Sequence, residues 1–380
     1  MDRKLRINIG VLYAFSFFWM SLVILPVIVP FFESKGLTLA QVFYLQAIFA
    51  SFVVLFEVPS GYFADMIGRK NVLVAGSLFH GLGFTWLCFA DDFAGLVLFE
   101  MTVAVGISLM SGADLSLLYD SQDALGQTAT ERGRGIANMR FAKSSAEGAS
   151  ALLSTFLIAV SLDATVIANA MVAWVPLVLS LFLTEAPFVR MEKGQHLGNL
   201  KTIVSHLFLE DRLLRLICLA ITMFGLMTFY VVWMFQPYWK DQGVPLTAFG
   251  ILWAAQCFVL AFATRLCIPM ENRFGPKAVL IVMALLPILG YFGMALTGGL
   301  VGILAGFAFF LSRGLNNVIL TDALNRRVPA SFRSTANSMT SFMFRGVYIV
   351  TGPAIGFLIG EAGMEVKLFV LVVLAPGLFV

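Results

Sequence analysis

Charge is the scarcest property of this sequence. Only 12% of its 380 residues are charged, whereas 59% are hydrophobic and the mean hydropathy is +0.91. A soluble domain carries about a quarter charged residues, so most of this surface must face something other than water. The net charge of +3 is small and the bases are scattered between apolar blocks, which excludes an aqueous nucleic-acid binder. Cysteine is scarcer still. Cys88, Cys218, Cys257 and Cys267 sit in apolar runs without C-x-x-C spacing, so they read as packing residues, and neither disulfides nor a metal site is expected. Among the histidines, His196 and His206 share one polar interval and read as solvated side chains. No G-x-S-x-G, H-E-x-x-H or paired-histidine motif supports an enzyme, and no G-x-x-x-x-G-K-[ST] loop supports nucleotide-driven work. No cofactor is implied.

Long apolar runs are what the sequence has in abundance. A membrane-crossing helix needs about 20 mostly apolar residues. Twelve such runs follow one another, at 7–31, 38–64, 71–90, 93–122, 134–160, 165–184, 211–238, 246–269, 277–297, 299–322, 333–359 and 364–380. The expected fold is an all-α polytopic membrane protein with twelve transmembrane helices. The basic N-terminus superficially resembles a signal peptide, but its apolar run continues to Phe32 without a small-residue cleavage site and is read as a retained span. With the N-terminus in the cytoplasm, the inner segments hold 17 of the 25 Lys and Arg, and the outer loops hold only Lys35, Lys240 and Lys367. The positive-inside rule then places both termini on the cytoplasmic side of the inner membrane.

The longest polar interval, Glu185 to Arg212, divides the runs six and six. This gives an N-terminal bundle over 1–185, a cytoplasmic linker over 186–210 and a C-terminal bundle over 211–380. Within the linker, LKTIVSHLFL has the pattern of an amphipathic helix on the membrane surface. The halves repeat each other. GLTLAQVF at Gly36 returns as GVPLTAFG at Gly243, and GRKNVL at Gly68 returns as GPKAVL at Gly275, both at an offset of 207 (243 − 36 and 275 − 68). RGIAN at Arg134 returns as RSTAN at Arg333, each after an aspartate, Asp120 or Asp322, that ends the preceding span. Three echoes in matching order indicate duplication into pseudo-symmetric halves, an architecture that places its binding site near the bilayer midplane.

Between the second and third runs lies GYFADMIGRK, Gly61 to Lys70. It resembles the loop signature of the major facilitator superfamily, G-x-x-x-D-x-x-G-R-K, at every key position: Gly61, Asp65, Gly68, Arg69 and Lys70. With twelve runs, a six-plus-six split and a degenerate second copy at ENRFGPK (Glu271 to Lys277), the resemblance covers the whole chain. By chemistry alone, Gly61 permits close helix packing, Gly68 permits a tight turn, and Arg69 can grip a carboxylate bidentately. The resemblance implies that this carboxylate is Asp120 and that Asp65 latches the halves in the outward-facing state. The alternative is a plain topological anchor. Two departures weaken a multidrug assignment. The Gly-Pro signature of drug antiporters is absent from FAKSSAEGASALLSTFLIA in the fifth run, and Glu100 stands where many proton antiporters carry arginine.

A charged side chain in mid-span costs roughly 2.5–3.5 kcal/mol on insertion scales, so each is a functional candidate. Arg140, Lys143 and Glu147 share one helical face of the fifth run, while Glu100, Ser111 and Asp114 share one of the fourth. In the C-terminal half, Arg313, Asn316 and Asn317 share a face of the tenth run, and Ser338, Ser341, Arg345 and Tyr348 form a stripe on the eleventh. Arg265 lies near the inner end of the eighth. Either these charges pair internally, holding the halves together, or they line a cavity. On the cavity reading, Glu147, Glu100, Asp114 and Glu57 are the proton-coupling candidates, since such coupling needs a titrating carboxylate. Arg140, Lys143, Arg313, Asn316, Asn317, Arg345 and Tyr348 are the substrate candidates, with Tyr230, Trp233 and Gln236 as aromatic and amide walls.

The expectation is a monomeric, proton-coupled secondary transporter that moves a small organic solute across the lipid bilayer by alternating access, with efflux slightly favoured. Because a planar guanidinium suits a carboxylate or phosphate, an amphipathic solute bearing an anionic group is favoured. A multidrug/proton antiporter for lipophilic neutral or cationic compounds and a proton-coupled metabolite importer are the alternatives. A membrane enzyme and a non-transporting receptor are the other classes weighed.

Overall fold

In a lipid environment the backbone must satisfy its own hydrogen bonds, and every described element of this chain is a helix. The structure, a computed structural model, describes residues 2–187, 211–328 and 333–359, with positions 58, 59, 61, 62, 65, 333–335 and 359 described by their backbone alone. The linker helix expected at LKTIVSHLFL, the histidines His196 and His206 and the twelfth run lie outside the described residues.

The chain forms two compact units. The first comprises Met1–Leu37, Leu45–Met191 and Leu246–Ala254, and the second Thr38–Tyr44, Glu192–Pro245 and Ala255–Val380. The helices up to the linker are α1 (Asp2–Trp19), α2 (Ile28–Ser34), α3 (Leu39–Ile67), α4 (Arg69–Leu87), α5 (Phe93–Met110), α6 (Ala113–Ala124), α7 (Ala129–Ile158), α8 (Leu162–Ala173) and α9 (Val175–Phe182). After it come α10 (Arg212–Tyr230), α11 (Val232–Asp241), α12 (Leu246–Leu296), α13 (Gly299–Ala305), α14 (Phe307–Arg327) and α15 (Arg333–Ile359).

Among the described residues, 7 helical stretches are long and apolar enough to cross a membrane, fewer than the twelve runs of the sequence. The physical reasons are specific. α1 opens with Asp2, Arg3, Lys4 and Arg6, and α7 carries Arg140, Lys143 and Glu147 along its length. The stretch Leu246–Leu296 is one helix of 51 residues that is interrupted at Gly275, so it covers the eighth and ninth runs together.

Each unit has its own apolar core. In the first, Leu5, Leu12 and Phe15 of α1 pack with Leu73 of α4, Leu117 of α6 and Met139 of α7. In the second, Phe224 and Met227 of α10 pack with Met283 of α12 and Leu315 of α14, and Cys267 is buried among them. Cys218 is buried in a second cluster with Leu214 and Leu324. Both cysteines are packing residues.

The duplication is visible in the backbone. Gly36 and Gly243, counterparts at the 207 offset, have φ of 83° and 75°. Gly68 and Gly275, the second such pair, have φ/ψ of 94°/149° and 79°/161°. That region is essentially closed to side-chain-bearing residues. Both halves therefore make the same glycine-dependent turn between their second and third runs.

Candidate functional site

The signature turn is built from three strands of chain in the first unit. α3 ends at Ile67, Gly68 takes its positive φ, and α4 begins at Arg69. The first backbone N–H groups of a helix lack intrahelical acceptors. Here the Glu185 carboxylate accepts both, with Arg69 N to Oε1 and Lys70 N to Oε2 each at 2.9 Å. A Cβ on Gly68 would lie 2.7 Å from Glu185 Oε2, so glycine is required for contact as well as for conformation. The Arg69 guanidinium ion-pairs with Asp120 on α6 and also donates from Nη1 to Ser116 O at 2.9 Å. Next to this turn, the buried Asn8 side chain donates to Ser121 Oγ (3.1 Å) and Thr184 O (2.7 Å) and accepts from Thr184 N (2.9 Å), tying α1, α6 and the segment before Glu185 together. The structure thus brings Gly68, Arg69, Lys70 and Asp120 into one place. The expectations for Gly61 and Asp65 fall on side-chain positions outside the described residues.

The second copy of the turn shows what the cap depends on. Pro276 occupies the position equivalent to Arg69, so it has neither a backbone N–H for a capping carboxylate nor a guanidinium. The aspartate equivalent to Asp120 is Asp322, and it pairs with Arg326 on its own helix at 2.6 Å.

The buried charges of the first unit are also matched locally. Gln46 on α3 donates to Glu100 Oε1 on α5 at 2.7 Å, and both residues are buried. The fourth run breaks at Ser111–Gly112, where Gly112 has φ of 87°, and Asp114 sits in the first turn of α6. Asp114 is buried, and Lys143 Nζ of α7 lies 2.7 Å from its Oδ2. The same ammonium stands 4.5 Å above the Trp19 ring, within the range of a cation–π contact. Arg140 is exposed on α7, while Glu147 and Glu57 are half-buried on α7 and α3.

The candidates of the second unit gather around a pocket of about 230 Å³ between α10, α14 and α15. Its polar lining includes Arg313, Asn316 and Asn317 from α14, Thr340 and Ser341 from α15 and Thr228 from α10. Phe229 and Phe344 form its aromatic wall, with ring centroids 5.3 Å apart and planes at 78°. Phe229 continues this wall through Tyr348 (5.0 Å) and Trp233 (6.0 Å). Tyr230 stacks on Tyr348 at 5.7 Å and donates its hydroxyl to Thr351 Oγ1 at 2.5 Å, since the Thr351 proton goes to Val347 O. Gln236 is buried one turn beyond Trp233 on α11. Arg345 follows Phe344 on α15 but does not line the pocket, and Arg265 is exposed on α12.

Sequence reasoning missed Glu185 and the pairing of Lys143 with Asp114. Glu185 acts through backbone N–H groups, which leave no residue-type pattern. The signal available was its place in TEAP, a carboxylate at the inner end of the sixth run.

Comparisons with known proteins agree with this architecture. A protein-family model described as Major Facilitator Superfamily matches residues 9–374. An uncharacterised MFS-type transporter of Bacillus subtilis strain 168, YxaM, is 23% identical over 370 residues, covering 92% of this chain and 88% of its own. Three solved structures share the fold. The nucleoside transporter NupG has a TM-score of 0.76 at 12% identity, with 99% of this chain and 96% of that one covered. The xylose transporter XylE of E. coli in an inward-open conformation gives 0.70 at 14%, covering 98% and 95%. A bacterial homolog of the human lysosomal transporter Spinster gives 0.72 at 17%, covering 100% and 96%.

Proposed function

The chain belongs to the Major Facilitator Superfamily, and we propose that it is a proton-coupled secondary transporter of a small, anionic, amphipathic solute, working by alternating access in the inner membrane with both termini cytoplasmic. The observation that carries the substrate reading is Arg313, a cation of the tenth run that lines the C-terminal pocket with no ion pair or hydrogen bond among the described residues. Its side chain is exposed on α14, within reach of an incoming anion that supplies its counter-charge. Efflux fits the reading slightly better than uptake. The nucleoside and sugar transport named for the fold neighbours shows how little the fold restricts the cargo.

The proton-coupling reading rests on the buried carboxylates Glu100 and Asp114, with Glu147 and Glu57 as further candidates. A carboxylate that exchanges its proton as its exposure changes links transport to a pH gradient. Glu100, hydrogen-bonded by the neutral amide of Gln46 and by no cation among the described residues, is the strongest of these. The Arg69–Asp120 pair and the Glu185-capped turn support a latch at the signature loop.

The test is uptake into proteoliposomes of a panel of labelled organic acids, with and without an imposed pH gradient. Glu100→Gln is expected to abolish gradient-driven accumulation while exchange at zero gradient continues. If Glu100→Gln and Glu147→Gln both accumulate solute like the parent, neither residue carries the proton. If neutral or cationic compounds are transported in preference to acids, the multidrug alternative replaces the anion reading.

A further inference from the structure

The C-terminal pocket carries more chemical information than the sign of its charge. We propose that it binds the monoanion of a hydroxylated aromatic acid, a single flat ring bearing one carboxylate and at least one O–H donor. This rests on the reading of the chain as a solute transporter and names the class of solute its pocket accepts.

Charge comes first. The described lining holds one cation, Arg313, and no acid. A guanidinium presents a planar fork that matches one carboxylate, so a single negative charge neutralises the pocket and a second would be left without a partner. Neutral sugars and nucleosides leave Arg313 uncompensated.

The polar groups set the second requirement. Thr228 Oγ1 donates its one hydrogen to the carbonyls of its own helix, Phe224 O at 3.1 Å and Gly225 O at 3.0 Å. Thr340 Oγ1 likewise donates to Asn337 O at 2.8 Å. A hydroxyl has one hydrogen and two lone pairs, so both threonines can only accept from a ligand. Asn316 is 93% buried, at 7% relative exposure, and its Oδ1 has no hydrogen-bond partner. Buried acceptors of this kind are costly unless satisfied. The two threonines offer a ligand acceptors only, and the buried Asn316 Oδ1 beside them has no partner. A ligand that brings a hydrogen-bond donor therefore matches this lining better than benzoate or a simple fatty acid, which bring none.

Shape sets the third. Phe229 and Phe344 meet at 78°, giving two ring surfaces that form a corner. A Cβ on Gly225 would come within 3.1 and 3.2 Å of the Phe344 ring, so the missing side chain lets that ring lie on the α10 backbone and flattens the wall. Such a corner takes a planar ring by offset or edge-to-face contact. The volume of about 230 Å³ falls below the roughly 300–1,000 Å³ of sites for drug-sized ligands and suits one ring with short substituents.

The test measures binding to the purified full chain in lipid nanodiscs, by thermal shift and tryptophan fluorescence, with three matched probes. These are 4-hydroxybenzoate, its uncharged isostere 4-hydroxybenzamide, and benzoate, which lacks the hydroxyl. The acid is expected to bind, with the amide and benzoate each weaker by about tenfold or more. Arg313→Gln should erase the preference for acid over amide, and Arg313→Lys, which keeps the charge but loses the fork, should weaken binding of the acid. Thr340→Val, which preserves shape, should reduce the preference for 4-hydroxybenzoate over benzoate while leaving the acid–amide preference intact. Equal binding of acid and amide to the parent overturns the proposal, as does a preference that survives Arg313→Gln. So does an absence of binding for 4-hydroxybenzoate, 3,4-dihydroxybenzoate and 4-hydroxyphenylacetate at millimolar concentration. Counterflow in proteoliposomes separates this from the broader reading. Exchange of other solutes that is insensitive to Arg313→Gln removes the pocket assignment and keeps the transporter. Binding of the acid with no solute crossing the membrane does the reverse.

Discussion

At the residue scale, the first unit matches its buried charges with partners on other helices. Lys143 is held by Asp114 and the face of Trp19, so three helices share one cation. Removing one partner of a buried pair costs about 3–5 kcal/mol because the other charge is stranded. Asp114→Ala should destabilise by the lower end of that range, since Lys143 keeps 28% side-chain exposure and can reach water. Lys143→Met in the Asp114→Ala background should recover most of the loss. The check is a double-mutant cycle on the unfolding free energy in detergent, where strictly additive effects would mean that the pair contributes nothing. The residue types were legible in the sequence as charges in apolar runs. Their pairing was not, because an i, i+3 or i+4 rule reads one helix and this contact joins α1, α6 and α7. The Arg69–Asp120 pair was legible only through the resemblance of the whole loop to a family signature.

At the element scale, helix ends and breaks do the positioning, and these were partly legible. The interruptions at Ser111–Gly112 and Gly275 coincide with glycines that the sequence offers, yet the apolar run around Gly112 is continuous and hid the break. α7 shows an end that follows from local rules. Thr128 caps it and Glu131 reaches back, forming a capping box in which Glu131 Oε2 accepts from Thr128 N at 2.8 Å and from Thr128 Oγ1 at 2.9 Å. The backbone bond, then the hydroxyl bond, holds the Glu131 carboxyl below its ordinary range. A depressed folded-state pKa stabilises above the unfolded value, and this contribution is lost as pH falls through the folded one. Amide exchange at the first turn of α7 should therefore quicken in acid relative to the rest of the helix. Glu131→Gln should remove that pH dependence. An acid response that persists in the variant would assign it to another group.

At the scale of the whole molecule, the two halves keep the same backbone at the signature turn but differ in what surrounds it, and that difference is measurable. Gly68 and Gly275 share a conformation essentially reserved for glycine, which costs a substituted residue about 1–3 kcal/mol. Around Gly275 a new Cβ would meet nothing within 4 Å, whereas at Gly68 it would meet Glu185 Oε2 at 2.7 Å. That carboxylate caps α4 through two N–H groups, and an anion at a helix N-terminus is further favoured by the dipole. Pro276 removes from the second copy the donor equivalent to Arg69 N, so a two-point carboxylate cap cannot form there. Gly275→Ala should thus cost the backbone strain alone, while Gly68→Ala adds the displacement of Glu185, roughly another 1–3 kcal/mol for donors left without their acceptor. In a Glu185→Ala background the extra cost has already been incurred, so Gly68→Ala should fall to the level of Gly275→Ala. Unfolding free energies of the four variants in one lipid mixture decide it. Equal costs for the two glycines in the parent would mean that Glu185 is no cap, and the asymmetry between the halves would then need another source.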